Sequence, residues 1–172
     1  MDRSIEASEL PSCYDGAWSH KDIDATGGIP FDDPAEFFRF MRAQSFIAIT
    51  GSTEIDRKNL AAAILKRTFS FGFTHYGTYR ARFADAEMDL SNTKGFDGEE
   101  FVRELCNEYR TYIMLSLHCV PKAIAHPLRR IFQSRTIPGR QTIVTMPAFS
   151  SLTNIDDNAM EIFSSSCAIV EL

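Results

Sequence analysis

At 172 residues the chain has room for one domain of ordinary size and no second full one. Its composition, 44% hydrophobic and 24% charged with 14 Phe, is that of a globular protein. The formal net charge of −5 gives no overall attraction to nucleic acid or anionic lipid, so either contact would need a local basic patch. No apolar run approaches the ~20 residues of a membrane span, and the opening MDRSIEASEL lacks the apolar core of a signal peptide. Cys13, Cys106, Cys119 and Cys167 are scattered, without a CxxC pair or a His at zinc spacing. They read as reduced thiols in a cytoplasmic setting, and no metal is expected.

Residues 1–30 carry Gly27-Gly28, Pro11, Ser and Asp without a sustained period, and read as an irregular arm. Within it, Tyr14 and Trp18 are aromatic anchors that could dock on the domain or on a partner. Residues 31–172 read as one α/β core. Asp33-Pro34 resembles an N-cap and first helical residue, followed by Phe37, Phe38 and Met41 as an apolar stripe. Apolar runs at 45–50, 112–117, 141–145 and 167–172, with a partly alternating segment at 74–82, predict five strands. Helical spacing predicts helices over 58–68, 98–110, 122–134 and 158–163, with Pro127 either breaking the third or sitting in its first turn. Strands alternating with helices predict a three-layer fold around a mostly parallel five-stranded sheet.

The segment Ile49-Thr50-Gly51-Ser52-Thr53-Glu54-Ile55-Asp56-Arg57-Lys58-Asn59-Leu60-Ala61-Ala62-Ala63-Ile64 joins a strand to a helix through a loop that opens with Gly. That arrangement resembles the DnaC/IstB family of AAA+ helicase loaders and transposition ATPases, whose loop reads G-x-x-G-x-G-K-[ST]-x-L-A-x-A-I. The resemblance runs from about residue 37 to residue 172. It implies a P-loop core in which Gly51 takes the first glycine, Glu54 and Asp56 the next two, Arg57 the lysine and Lys58 the Ser/Thr. Two carboxylates would then face a triphosphate of the same sign, and a cation stands where a hydroxyl would hold magnesium. At the end of the third strand the family carries an Asp-Glu pair; here the matching positions are Ser116 and Leu117, with His118 next. The polar sensor that closes the fourth strand is matched by Pro147, and the arginine offered to a neighbouring subunit is missing from 158–164. Arg135 matches a structural arginine that precedes the fourth strand. Neither the upstream helicase-binding domain of the loaders nor a C-terminal lid is expected.

Lys122, Arg129, Arg130, Arg135 and Arg140, with His126 among them, form the densest basic stretch and are the candidate contact for nucleic acid or an acidic partner. A solvated helix face is the plainer reading. Asp85, Glu87 and Asp89, with Asp97, Glu99 and Glu100, read as an acidic surface loop rather than a metal site. The expected activity is therefore partner binding without catalysis: an adaptor, structural subunit or inhibitor for a replicative helicase, an active ATPase of the same family or a mobile-element complex. Neither cofactor nor membrane is expected. Two alternatives stay open: a nucleic-acid-binding accessory protein using the basic stretch, and an ATPase whose site is rebuilt around Arg57, Lys58 and His118.

Overall fold

A computed structural model describes residues 36, 39–40, 43–70, 81–94, 97–118, 125–153 and 155–172. The proposed arm over 1–30, its Tyr14 and Trp18, the Asp33-Pro34 cap, Lys122, Cys13 and Cys119 lie outside the described residues. In chain order the elements are β1 (Phe46–Thr50), α1 (Glu54–Ser70), β2 (Ala81–Asp85), α2 (Ala86–Asn92) and α3 (Gly98–Asn107). They are followed by β3 (Thr111–Leu115), α4 (Ala125–Arg135), β4 (Gln141–Thr145), a 3₁₀ turn (Phe149–Ser151), α5 (Asp157–Ser165) and β5 (Cys167–Glu171).

The strands form one sheet in the order β2-β3-β4-β1-β5, and every pairing is parallel. β1, β3 and β4 are interior strands and are almost wholly buried, which is why their sequences read as unbroken apolar runs. Alternate residues serve opposite faces. Ile47, Ile49, Ile113, Leu115, Ile143 and Val170 meet the Leu60–Leu65 stretch of α1 on one side. Phe46, Ala48, Tyr112, Met114 and Val144 meet α2, α3, α4 and α5 on the other. There Phe46 packs edge-on against Phe132 and Phe163, which stack on each other at 5.1 Å between centroids. The expected three-layer α/β architecture is the one observed.

Several boundaries differ from those the sequence predicts, each for a local reason. α1 begins at Glu54 rather than at 58, because Thr53 and Asp56 cap it reciprocally: the Asp56 N–H donates to Thr53 Oγ1 at 3.2 Å and the Thr53 N–H to Asp56 Oδ2 at 3.3 Å. β3 stops at Leu115 because Ser116 adopts φ +57°, a left-handed conformation that turns the chain out of the sheet. Pro127 is the third residue of α4, in the first turn where a missing N–H costs no intrahelical bond. β2 runs on to Asp85, beyond the predicted 74–82; residues 74–80 lie outside the described residues. The acidic segment predicted as loop contains the helix α2, capped by the Asp85 side chain accepting from the Glu87 N–H.

Candidate functional site

The loop between β1 and α1 lies at the carboxyl end of an interior parallel strand, the edge where open α/β sheets place their ligands. Its backbone turns through two residues in succession with positive φ, Gly51 at +76° and Ser52 at +39°. A side chain on Gly51 would strike the Leu172 carbonyl oxygen, so the position requires glycine on steric grounds as well as conformational ones. The Gly51 N–H donates to the Pro147 carbonyl at 3.0 Å and the Leu172 N–H to the Thr50 carbonyl at 3.0 Å, which ties the loop between β4 and β5.

This turn presents carbonyl oxygens to a cation. Arg57, only 6% exposed, bends back along α1 and donates Nη1 to Gly51 O at 2.5 Å and to Ser52 O at 2.7 Å. Its Nε is buried without a hydrogen-bond partner. Asp56 fills the anion position at the helix start, accepting from Ser52 Oγ at 2.7 Å and Thr53 Oγ1 at 2.6 Å as well as from the Thr53 N–H. The bond from the Thr53 hydroxyl, then that from Ser52, holds the Asp56 carboxyl below its ordinary range. A phosphate cradle works in the opposite sense, with inward N–H groups and a free helix terminus.

Glu54 leaves the loop in another direction. It forms an ion pair with Lys58 one turn on and accepts from Ser116 Oγ at 2.8 Å, and these two partners lower its carboxyl from the ordinary value. Ser116 is itself fixed by donating its N–H to Thr145 Oγ1 at 2.8 Å, while Leu117 is buried and donates to Thr145 O at 2.9 Å. The structure thus brings Gly51, Glu54, Asp56, Arg57, Lys58 and Ser116 together and places Leu117 in the core beside them. His118 is exposed, and its carbonyl accepts from the Thr153 N–H at 3.1 Å. Among the described residues no group of three or more His, Cys, Asp or Glu side chains could hold a metal ion, and no helix is long and apolar enough to cross a membrane.

The basic stretch does not form a single patch. Arg135 is wholly buried and donates to Thr142 Oγ1 and to the carbonyls of Leu105, Tyr109, Arg110 and Gln141, at 2.7–3.3 Å. It cannot touch a ligand, and it joins the end of α3 to the starts of β3 and β4. Arg140 donates to the carbonyls of Cys106 and Ser134. Arg130 pairs with Glu99 at 2.6 Å and Arg129 lies 3.9 Å from Asp156. The acidic segment is likewise divided. Asp89 is fully buried, contrary to the surface loop predicted for it. It holds Arg82 through both carboxylate oxygens at 2.5 and 2.7 Å and accepts from the Tyr112 hydroxyl at 2.9 Å. Burial first, then the Asp89 charge, pushes the Tyr112 hydroxyl well above its usual range. The signal for this network was the Arg82-to-Asp89 spacing across a strand end and helix start, which composition alone cannot distinguish from a charged loop.

No family model and no curated protein matches the chain. Among solved structures, that of DnaI superposes with a TM-score of 0.70 at 14% identity, over 98% of this chain and 96% of that one. The DnaC helicase loader gives 0.65 at 14% identity, over 100% and 99%. A DNA replication initiation factor gives 0.64 at 16% identity over 80% of this chain, which spans only 43% of that protein's length. At such identities the likeness concerns the fold. The chain has the α/β fold seen in the structures of DnaI and the DnaC helicase loader.

Proposed function

We propose that this chain is a non-catalytic AAA+-like protein that acts by binding a protein partner as adaptor, structural subunit or inhibitor. The observation that carries the reading is Arg57, whose guanidinium is held by the Gly51 and Ser52 carbonyls in the place where the fold's loop would cradle phosphate. Admitting a triphosphate there requires breaking both bonds, turning at least one peptide plane and displacing the Asp56 carboxylate from three donors. Charged hydrogen bonds contribute roughly 1.5–3 kcal/mol each, so the rearrangement opposes binding strongly. No carboxylate stands at Ser116 or Leu117 to organise magnesium and an attacking water, and Glu54, the nearest acid, is committed to Lys58 and Ser116.

The partner most worth testing is a replicative helicase, because one of the structures sharing this fold is that of a helicase loader. An active ATPase of the same fold and a mobile-element complex are the other partners this reading names. The nucleic-acid alternative gains nothing from the geometry, since Arg130, Arg135 and Arg140 have internal acceptors and Arg129 lies 3.9 Å from the Asp156 carboxylate. The test mixes the purified chain with the host's replicative helicase, without nucleotide, and follows complex formation by light scattering alongside phosphate release. A nucleotide-independent complex with no phosphate release by the chain alone is the expected result. Magnesium-dependent hydrolysis by the chain alone would sink the proposal.

A further inference from the structure

Among the described residues the sheet ends at β5, and no further strand pairs with its outer edge. Val170 is buried, whereas Ile169 is 56% exposed and Glu171 is exposed. The Leu172 N–H donates to Thr50 O, and in a parallel ladder alternate residues face the neighbour, so Ala168 and Val170 also face β1. Cys167, Ile169 and Glu171 therefore turn their backbone N–H and C=O groups outward. Among the described residues nothing pairs with those of Ile169 or Glu171. Natural edge strands are guarded by charge, proline or a bulge, and Cys167-Ala168-Ile169-Val170-Glu171 has only the charge of Glu171 at its far end, none at its centre.

We infer that this edge pairs antiparallel with the β5 of a second copy of the chain, about a two-fold axis at Ile169. The pattern is self-complementary. With Ile169 opposite Ile169, each Cys167 falls opposite the other copy's Glu171, and every outward N–H meets an outward C=O. The two Ile169 side chains then lie side by side, with Cα atoms about 5.5 Å apart. They project from the sheet face that carries α5, the face shared by the register partner Ala48. A pairing centred on Glu171 would set two carboxylates opposite each other, and a one-residue slip would face outward groups with inward ones; both are disfavoured. The contact is smaller than a standard interface of about 800 Å² per partner, so the dimer is reversible. This inference does not depend on the proposed function.

Hydrogen exchange on the full chain at low and high protein concentration, with sedimentation equilibrium in parallel, tests it. The average mass should rise toward twice that of the monomer. The Ile169 and Glu171 amides should gain protection only in the dimer, with Val170 protected in both. Ile169→Lys, at an exposed site, should weaken dimerisation at least about tenfold without lowering the melting temperature. If that variant fails to fold, the exchange pattern of the unaltered chain decides. A chain monomeric at every concentration, a dimer whose Ile169 and Glu171 amides exchange freely, or one unaffected by Ile169→Lys in a folded variant would overturn the inference. So would protection of those amides only on adding a different protein.

Discussion

Arg57 shows how one side chain can reverse the electrical sense of a loop. Gly51 and Ser52 adopt positive φ, their carbonyls turn inward, and the guanidinium of a residue on the helix that follows becomes the group they hold. Arg57→Met should therefore leave two oxygens without their donor and lower stability by about 2–3 kcal/mol, read as a shifted urea midpoint at unchanged slope. Thr53→Ala, which removes one half of the reciprocal cap, should cost about 1 kcal/mol in the same assay. Acid gives an independent check. Glu54 and Asp56 have carboxyls lowered from ordinary values of 4.5 and 3.8. Their contribution is thus complete above those values and is lost as pH falls through the lowered ones. Asp56→Asn should start less stable at neutral pH and lose less than the unaltered chain below about pH 4. The positions of these residues were legible from the strand-Gly-helix pattern. The partners they choose were not, because those follow from backbone angles at Gly51 and Ser52 that no local sequence rule fixes.

Between elements, two buried polar centres hold the layers in place. Arg135 satisfies carbonyls at the end of α3 and around the starts of β3 and β4, a task that needs a planar fork with several donors. Arg135→Lys should cost roughly 3 kcal/mol or more, since one ammonium cannot reach the same acceptors. Beside it, at the same end of the sheet, Asp89 neutralises Arg82, which also lies over the Phe101 ring at 5.2 Å. Tyr112 links the two centres by lying under Arg135 and donating to Asp89. Asp89→Ala removes the acceptor of Arg82 Nε and Nη2 and of the buried Tyr112 hydroxyl, and should cost about 3–5 kcal/mol. A double-mutant cycle with Tyr112→Phe should show coupling between the two sites. The interior strands were readable because both of their faces are buried, and their apolar runs say so directly. α2 was not, since its sequence Ala-Glu-Met-Asp-Leu-Ser-Asn carries few apolar residues and hides its one fully buried acid among exposed ones. Patterning assumes that charge means surface, and Asp89 breaks that assumption with a partner the sequence does not announce.

At the scale of the whole molecule, strand and helix alternation predicted the layered parallel sheet, but the order β2-β3-β4-β1-β5 comes from packing and had to be seen. That order puts the Gly51 loop beside the ends of β4 and β5, where Pro147 and Leu172 fasten it. On the function proposed above this loop is the setting of a lost nucleotide site, and Arg57, Asp56 and Glu54 fill it with contacts of their own. Titration calorimetry of the full chain with ATP and magnesium measures the consequence most directly. No binding heat should appear at ATP concentrations up to about millimolar, a Kd corresponding to little more than 4 kcal/mol. A micromolar affinity that disappears in Arg57→Ala would contradict the account, because it would make Arg57 a ligand of the phosphates and not the group that closes their site.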